Sequence, residues 1–94
     1  MKDTDELIKD LKHKDSSVRR HAIEMLGIMG DEKAVDALIP MLKDRDRFVR
    51  QEAVTALGKI GDVRLVKPLT QALEGEKDEF VINFLNKAIE KLRK

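Results

Sequence analysis

Residues 36–61 read DALIPMLKDRDRFVRQEAVTALGKIG, and the spacing of their apolar positions decides the fold. Val49, Ala53, Leu57 and Ile60 fall at i, i+4, i+8 and i+11, which gathers them on one face of a helix, and no stretch of the chain alternates as a strand does. Asp46 stands just before this run, where an N-cap belongs, and Gly61 just after it, at a C′ position. The stretch also recurs. Asp15, Val18, Arg19, Ala22, Leu26, Gly27, Gly30, Asp31, Val35, Leu38 and Leu42 return thirty-one residues on as Asp46, Val49, Arg50, Ala53, Leu57, Gly58, Gly61, Asp62, Val66, Leu69 and Leu73. A backward shift of the same size places Leu38, Ile39, Leu42 and Asp46 on Leu7, Ile8, Leu11 and Asp15. The forward shift is thirty-two, with one residue added near Gly75, and pairs Asp46, Phe48, Val49, Ala56, Leu57 and Ile60 with Asp78, Phe80, Val81, Ala88, Ile89 and Leu92.

Three units follow, 1–30, 31–61 and 62–94, in a single domain, and the fold class predicted is all-α: an α-solenoid of six helices in three antiparallel pairs. The helices are expected near 3–13, 16–29, 32–43, 47–60, 63–74 and 79–92. Asp3 with Glu6 forms a capping box, Asp15, Asp31, Asp46, Asp62 and Asp78 are the further N-caps, and Gly30, Gly61 and Gly75 suit C′. Pro40 and Pro68 fall inside the third and fifth helices, where each is expected to remove a hydrogen bond and bend the helix.

Composition narrows the function. Nineteen basic against eighteen acidic residues leave a net charge of +1, so no overall field draws in nucleic acid or anionic lipid, and any basic site must be local. Charged residues make up 39% of the chain against about 25% in an average domain, as expected when much of every helix stays wet. Cysteine is absent, which removes disulfides and thiolate metal sites. No apolar run approaches the roughly 20 residues of a membrane span, and the first residues are acidic where a signal peptide is apolar. A soluble, cytoplasmic, monomeric protein is the expectation, with a lysine- and glutamate-rich usage that is thermophile-like.

With the repeat laid out, the sequence resembles the HEAT-repeat family, whose unit has the form L-x-x-L-x-D-x-x-x-x-V-R-x-x-A-x-x-A-L-G-x-I-G. The thirty-one-residue step and the Gly30-Asp31 and Gly61-Asp62 junctions look most like the phycobilisome-lyase HEAT-like subgroup, whose pattern artificial α-helical repeat proteins also follow. The resemblance implies stacked antiparallel helix pairs, a concave side lined by the second helix of each pair, and an interunit charge ladder in which Asp15 with Arg19 and Asp46 with Arg50 take part. The third unit departs from the pattern at Ile82, Asn86 and Glu90, and the first carries Asp3, Thr4, Glu6 and Asp10 where the second has apolar residues. Both ends therefore read as polar caps, while Gly27 and Gly58 permit close helix approach inside the stack.

The outward positions of the second helices are the candidate binding residues: Ser17, Arg20, His21 and Glu24 in the first unit, Arg47, Phe48, Gln51, Glu52, Thr55 and Lys59 in the second, Phe80, Asn83, Phe84, Lys87 and Lys91 in the third. These are the positions varied in the artificial libraries. All three phenylalanines fall in this set. They either form an apolar patch for a partner, or they pack locally, Phe48 and Phe80 over a loop and Phe84 over the end of the last unit. Lys59, Lys87 and Lys91 form a modest basic patch or an ordinary solvated face.

No catalytic, cofactor or metal residues are expected. His13 and His21 are eight apart across a helix junction, His21 is followed by Ala22 and not by the glutamate of iron-binding HEAT enzymes, and no phosphate loop or nucleophile elbow occurs. The function expected is a noncatalytic scaffold for a protein or peptide. The alternatives are a small accessory to an enzyme or chromophore system, as the lyase resemblance implies, and weak nucleic-acid binding through the three lysines.

Overall fold

The computed structural model describes residues 1–94. Its six α-helices are α1 (Thr4–Asp10), α2 (Ser16–Met29), α3 (Val35–Leu38), α4 (Arg47–Ile60), α5 (Val66–Gly75) and α6 (Glu79–Arg93), with 3₁₀ turns at Glu32–Ala34, Ile39–Lys43 and Val63–Leu65 and no strand. The long helices α2, α4 and α6 form one layer, α2 packing on α4 and α4 on α6. In the other layer α1 packs on α2, the Ile39–Lys43 turn on α4 and α5 on α6, giving an all-α, solenoid-like slab of 33 × 25 × 15 Å. The core runs unbroken between the layers. Ile23, Leu26, Leu38, Val49, Leu57, Leu69, Val81 and Leu85 are fully buried, while Ile60, at the end of the periodic run in α4, is only half-buried.

The helix starts form as their sequences dictate. Glu6 N–H donates to Asp3 Oδ1 at 2.9 Å and Asp3 N–H to Glu6 Oε1 at 3.1 Å, completing the capping box. Asp15, Asp31, Asp46, Asp62 and Asp78 each accept the N–H two residues on, which satisfies a donor that the turn itself leaves free. Gly30 and Gly61 take left-handed φ of 63° and 73° and close α2 and α4 on the Leu26 and Leu57 carbonyls. Gly75 does not: it is the last residue of α5, and the chain leaves through an extended Glu76 with φ −81°.

The first helix of each pair is less regular than its periodicity suggests. Beyond Asp10 the chain tightens into i→i+3 bonds up to His13, so α1 is shorter than 3–13. The helix expected at 32–43 is one turn of α-helix between two 3₁₀ turns, because Pro40 supplies no N–H and the chain from Ile39 onward is wound at the tighter pitch. Pro68 lies in the first turn of α5, and the interruption of the expected helix sits ahead of it at Val63–Leu65.

The arginines of the repeat find other partners than the capping aspartates. Arg19, 4% exposed, grips Asp44 through Nε (3.0 Å) and Nη2 (3.1 Å) and donates through Nη1 to the His13 and Lys14 carbonyls. Arg50 donates to Glu76 Oε1 at 2.9 Å and to the Asp44 carbonyl at 2.8 Å. Asp15 and Asp46 are already engaged by backbone N–H groups, so each arginine reaches forward to the acid of the next junction and locks two loops together. Ile82 ends this ladder. Asn86 and Glu90 beside it are exposed, as expected of a polar end. Thr4, expected on the opposite polar end, is instead buried, and its hydroxyl donates to Asp31 Oδ2 at 3.2 Å across the α1 contact with the Glu32–Ala34 turn. Gly27 lies where a Cβ would stand 2.8 Å from the Ala56 Cβ, so α2 and α4 approach as closely as they do only without a side chain there.

Candidate binding face on the second helices

The outward residues of α2, α4 and α6 fall into two zones with an aromatic chain between them. At the α2/α4 end, Ser17, Arg20, His21, Glu24 and Glu52 surround a polar depression of about 260 Å³. Ser17 belongs to the cap, its hydroxyl donating to Asp15 Oδ1 at 2.8 Å. Glu52 is half-buried, and burial, with Glu24 beside it, pushes its carboxyl above the usual range against the pull of Arg20 and Lys59.

The three phenylalanines touch in series. Phe48 and Phe80 meet edge-to-face with centroids 5.6 Å apart, and Phe80 and Phe84 likewise at 5.3 Å. Arg47 lies 5.4 Å from the Phe48 centroid and 4.9 Å from that of Phe80, held in place by two bonds to Asp78 of 2.7 and 2.9 Å; Arg20 also approaches the Phe48 ring, at 5.6 Å. The Arg47 guanidinium in turn holds the Asp78 carboxyl below its ordinary range. Phe80 and Phe84 are half-buried against the core, whereas Phe48 is 44% exposed.

Phe84 leads into the second zone, a groove of about 270 Å³ between α4 and α6. Its floor is Val54, Gly58 and Ala88, and Thr55, Lys59, Lys87 and Lys91 stand around it. The repeat pattern gives Gly58 the same close-contact role as Gly27, and the structure corrects this. A Cβ there would stand 3.7 Å from that of Ala88, an ordinary contact distance, so the glycine leaves space and does not relieve a clash. Sequence reasoning misses the floor residues, since nothing local distinguishes Gly58 from Gly27. Of the remaining candidates, Gln51 donates to Thr55 Oγ1 at 2.9 Å along α4, and Asn83 is exposed without a hydrogen bond. Larger openings, of about 400 and 570 Å³, lie on the first-helix layer, where the Ile39–Lys43 turn faces α5.

This arrangement has relatives. Residues 4–90 match the family model for HEAT repeats. The chain belongs to the HEAT-repeat family. Among solved structures it is similar to the complex of CpcE and CpcF of phycocyanin lyase from Nostoc sp. PCC7120, with a TM-score of 0.86 and 30% identity over 99% of this chain and 38% of that one. It is also similar to epoxyqueuosine reductase, solved with an epoxyqueuosine-modified tRNA-Tyr stem loop, with a TM-score of 0.79 and 30% identity over 97% of this chain and 28% of that one. The HEAT repeats here thus span well under half the length of either relative. A search of curated proteins finds no match. No helix is long and apolar enough to cross a membrane.

Proposed function

We propose that this HEAT-repeat chain is a noncatalytic, monomeric scaffold that binds a protein or peptide across α2, α4 and α6. The observation that carries the reading is the unbroken path from the exposed Phe48 through Phe80 and Phe84 into the groove over Gly58. An aromatic anchor beside an apolar floor, rimmed by charge, is the make-up of a protein-binding patch. The polar depression offers little for catalysis: the Ser17 hydroxyl points to its own cap, and His21 is exposed with no hydrogen-bond partner to orient it as a base. One relative is a protein–protein complex, which agrees with a protein occupant. Both relatives come from enzymes, which favours a second form of the same reading, an accessory subunit that docks beside an enzyme.

A Phe48→Ser variant tests the anchor. Phe48 is 44% exposed, so about half of the roughly 1.5–3 kcal/mol of a buried phenylalanine is still to be gained on binding. Losing about 1 kcal/mol weakens Kd about fivefold. Partners recovered on immobilised wild type should be depleted on the variant, at an unchanged circular dichroism spectrum. Equal recovery on both refutes the anchor.

A further inference from the structure

The groove between α4 and α6 has a chemistry more specific than that of a general docking face. Lys59, Lys87 and Lys91 are all exposed, and none of the three enters any of the chain's seven ion pairs. No carboxylate lines the groove with them. Beneath the ammonium groups the floor is apolar and short of atoms, because Gly58 lacks a side chain and Ala88 has only a methyl, and Phe84 forms one wall. Elsewhere Arg19, Arg47, Arg50, Arg64 and Lys33 each have a carboxylate within 3.0 Å, and other basic side chains also stand outside ion pairs; what sets the groove apart is that three free ammonium groups surround one apolar floor.

Resting on the scaffold reading, we infer that this groove takes an acidic peptide segment, one apolar side chain lying over Gly58 and Ala88 against Phe84 while flanking Asp or Glu residues meet Lys59, Lys87 and Lys91. Charge complementarity selects this occupant. A basic or neutral segment would leave three ammonium groups without partners, and an all-acidic one would leave the apolar floor unfilled. A nucleic-acid backbone fits less well. Three lysines neutralise few phosphates, the floor offers a phosphate nothing, and Glu24 and Glu52 on the same face repel it. At the α2/α4 end Arg20 stands beside Glu24 and Glu52, so the unopposed positive charge of this face lies over α4/α6.

Fluorescence anisotropy on the full chain tests this, with short labelled peptides: one of glutamates around a central leucine, one with serine for the leucine, and one with lysines for the glutamates. The glutamate–leucine peptide should bind tightest and weaken with added salt. Lys87→Glu/Lys91→Glu should weaken it about tenfold or more, while Lys12→Glu/Lys14→Glu, an equal charge change on the α1–α2 loop, should change it less than about twofold. Equal losses in the two double variants, or equal binding of the lysine peptide, overturn the acidic occupant; if that binding still depends on Phe48, the scaffold reading survives. An RNA stem loop that binds more tightly than the peptide, and is lost in the same Lys87/Lys91 variant, replaces the peptide with nucleic acid. No binding of any peptide to folded wild type overturns the acidic occupant, while partner recovery on wild type against Phe48→Ser decides the scaffold reading.

Discussion

Gly27 and Gly58 occupy equivalent places in consecutive repeats, and the geometry around them predicts opposite responses to the same substitution. Any Gly→Ala change inside a helix gains about 0.5–1 kcal/mol from reduced backbone freedom in the unfolded chain. At Gly58 the new methyl would stand 3.7 Å from the Ala88 Cβ, within the ordinary range for carbon atoms, so the gain is kept. At Gly27 it would stand 2.8 Å from the Ala56 Cβ and 2.9 Å from its Cα. One of these atoms is backbone, so α2 and α4 must part by about 1 Å along their main interface, an overpacking cost of about 1–3 kcal/mol that outweighs the gain. For a domain of this size each kcal/mol moves Tm by about 4–8 °C. Gly58→Ala should therefore melt about 2–8 °C above wild type, and Gly27→Ala several degrees below it. Ala56→Gly combined with Gly27→Ala should regain part of the loss, since it removes the opposing methyl. Thermal melts by circular dichroism, with urea titrations as a check, read all four proteins. If Gly27→Ala matches or exceeds wild type, or both single variants shift the same way, the packing distances invoked here are wrong.

Arg19→Ala should destabilise by about 3–5 kcal/mol, because it strands a nearly buried Asp44; Arg50→Ala should cost clearly less, since that pair is wetter, with side chains 18% and 10% exposed against 5% and 10%. Urea midpoints compare the two. Thr70→Val should stabilise by about 1 kcal/mol in the same titration, because the Thr70 hydroxyl is buried without a partner. Acid should unfold the chain through its caps. Asp15, held down chiefly by the Ser17 hydroxyl, Asp62 by Arg64 and Asp78 by Arg47, all sit below the ordinary 3.8; in Asp46 burial pulls upward, but the Phe48 and Val49 N–H groups outweigh it. Their stabilisation is present above about pH 4 and drains away as pH falls through the lowered folded values, so Tm should drop steeply below pH 4, and less steeply in Asp78→Asn. Glu52, raised by burial and Glu24, works the other way: its charge disfavours the fold at neutral pH, and Glu52→Gln should raise Tm at pH 7 with little effect below pH 4.

The amino-acid sequence by itself determined what depends on near neighbours. The long helices α2 and α4 begin and end where the Asp15, Asp46, Gly30 and Gly61 signals stand, because a cap is closed by atoms two to four residues away. The repeat pattern likewise settled which face of each long helix carries the core, since a helical period assigns sides without reference to anything beyond the helix. Only the tertiary structure decided matters set by distances between helices. Arg19 and Arg50 bond to Asp44 and Glu76 because those junctions lie across the gap, twenty-five and twenty-six residues on. Gly27 and Gly58 share a motif, but one closes an interface and the other opens a groove, because the spacing of two helices is set by every side chain packed between them and not by the residue at the motif.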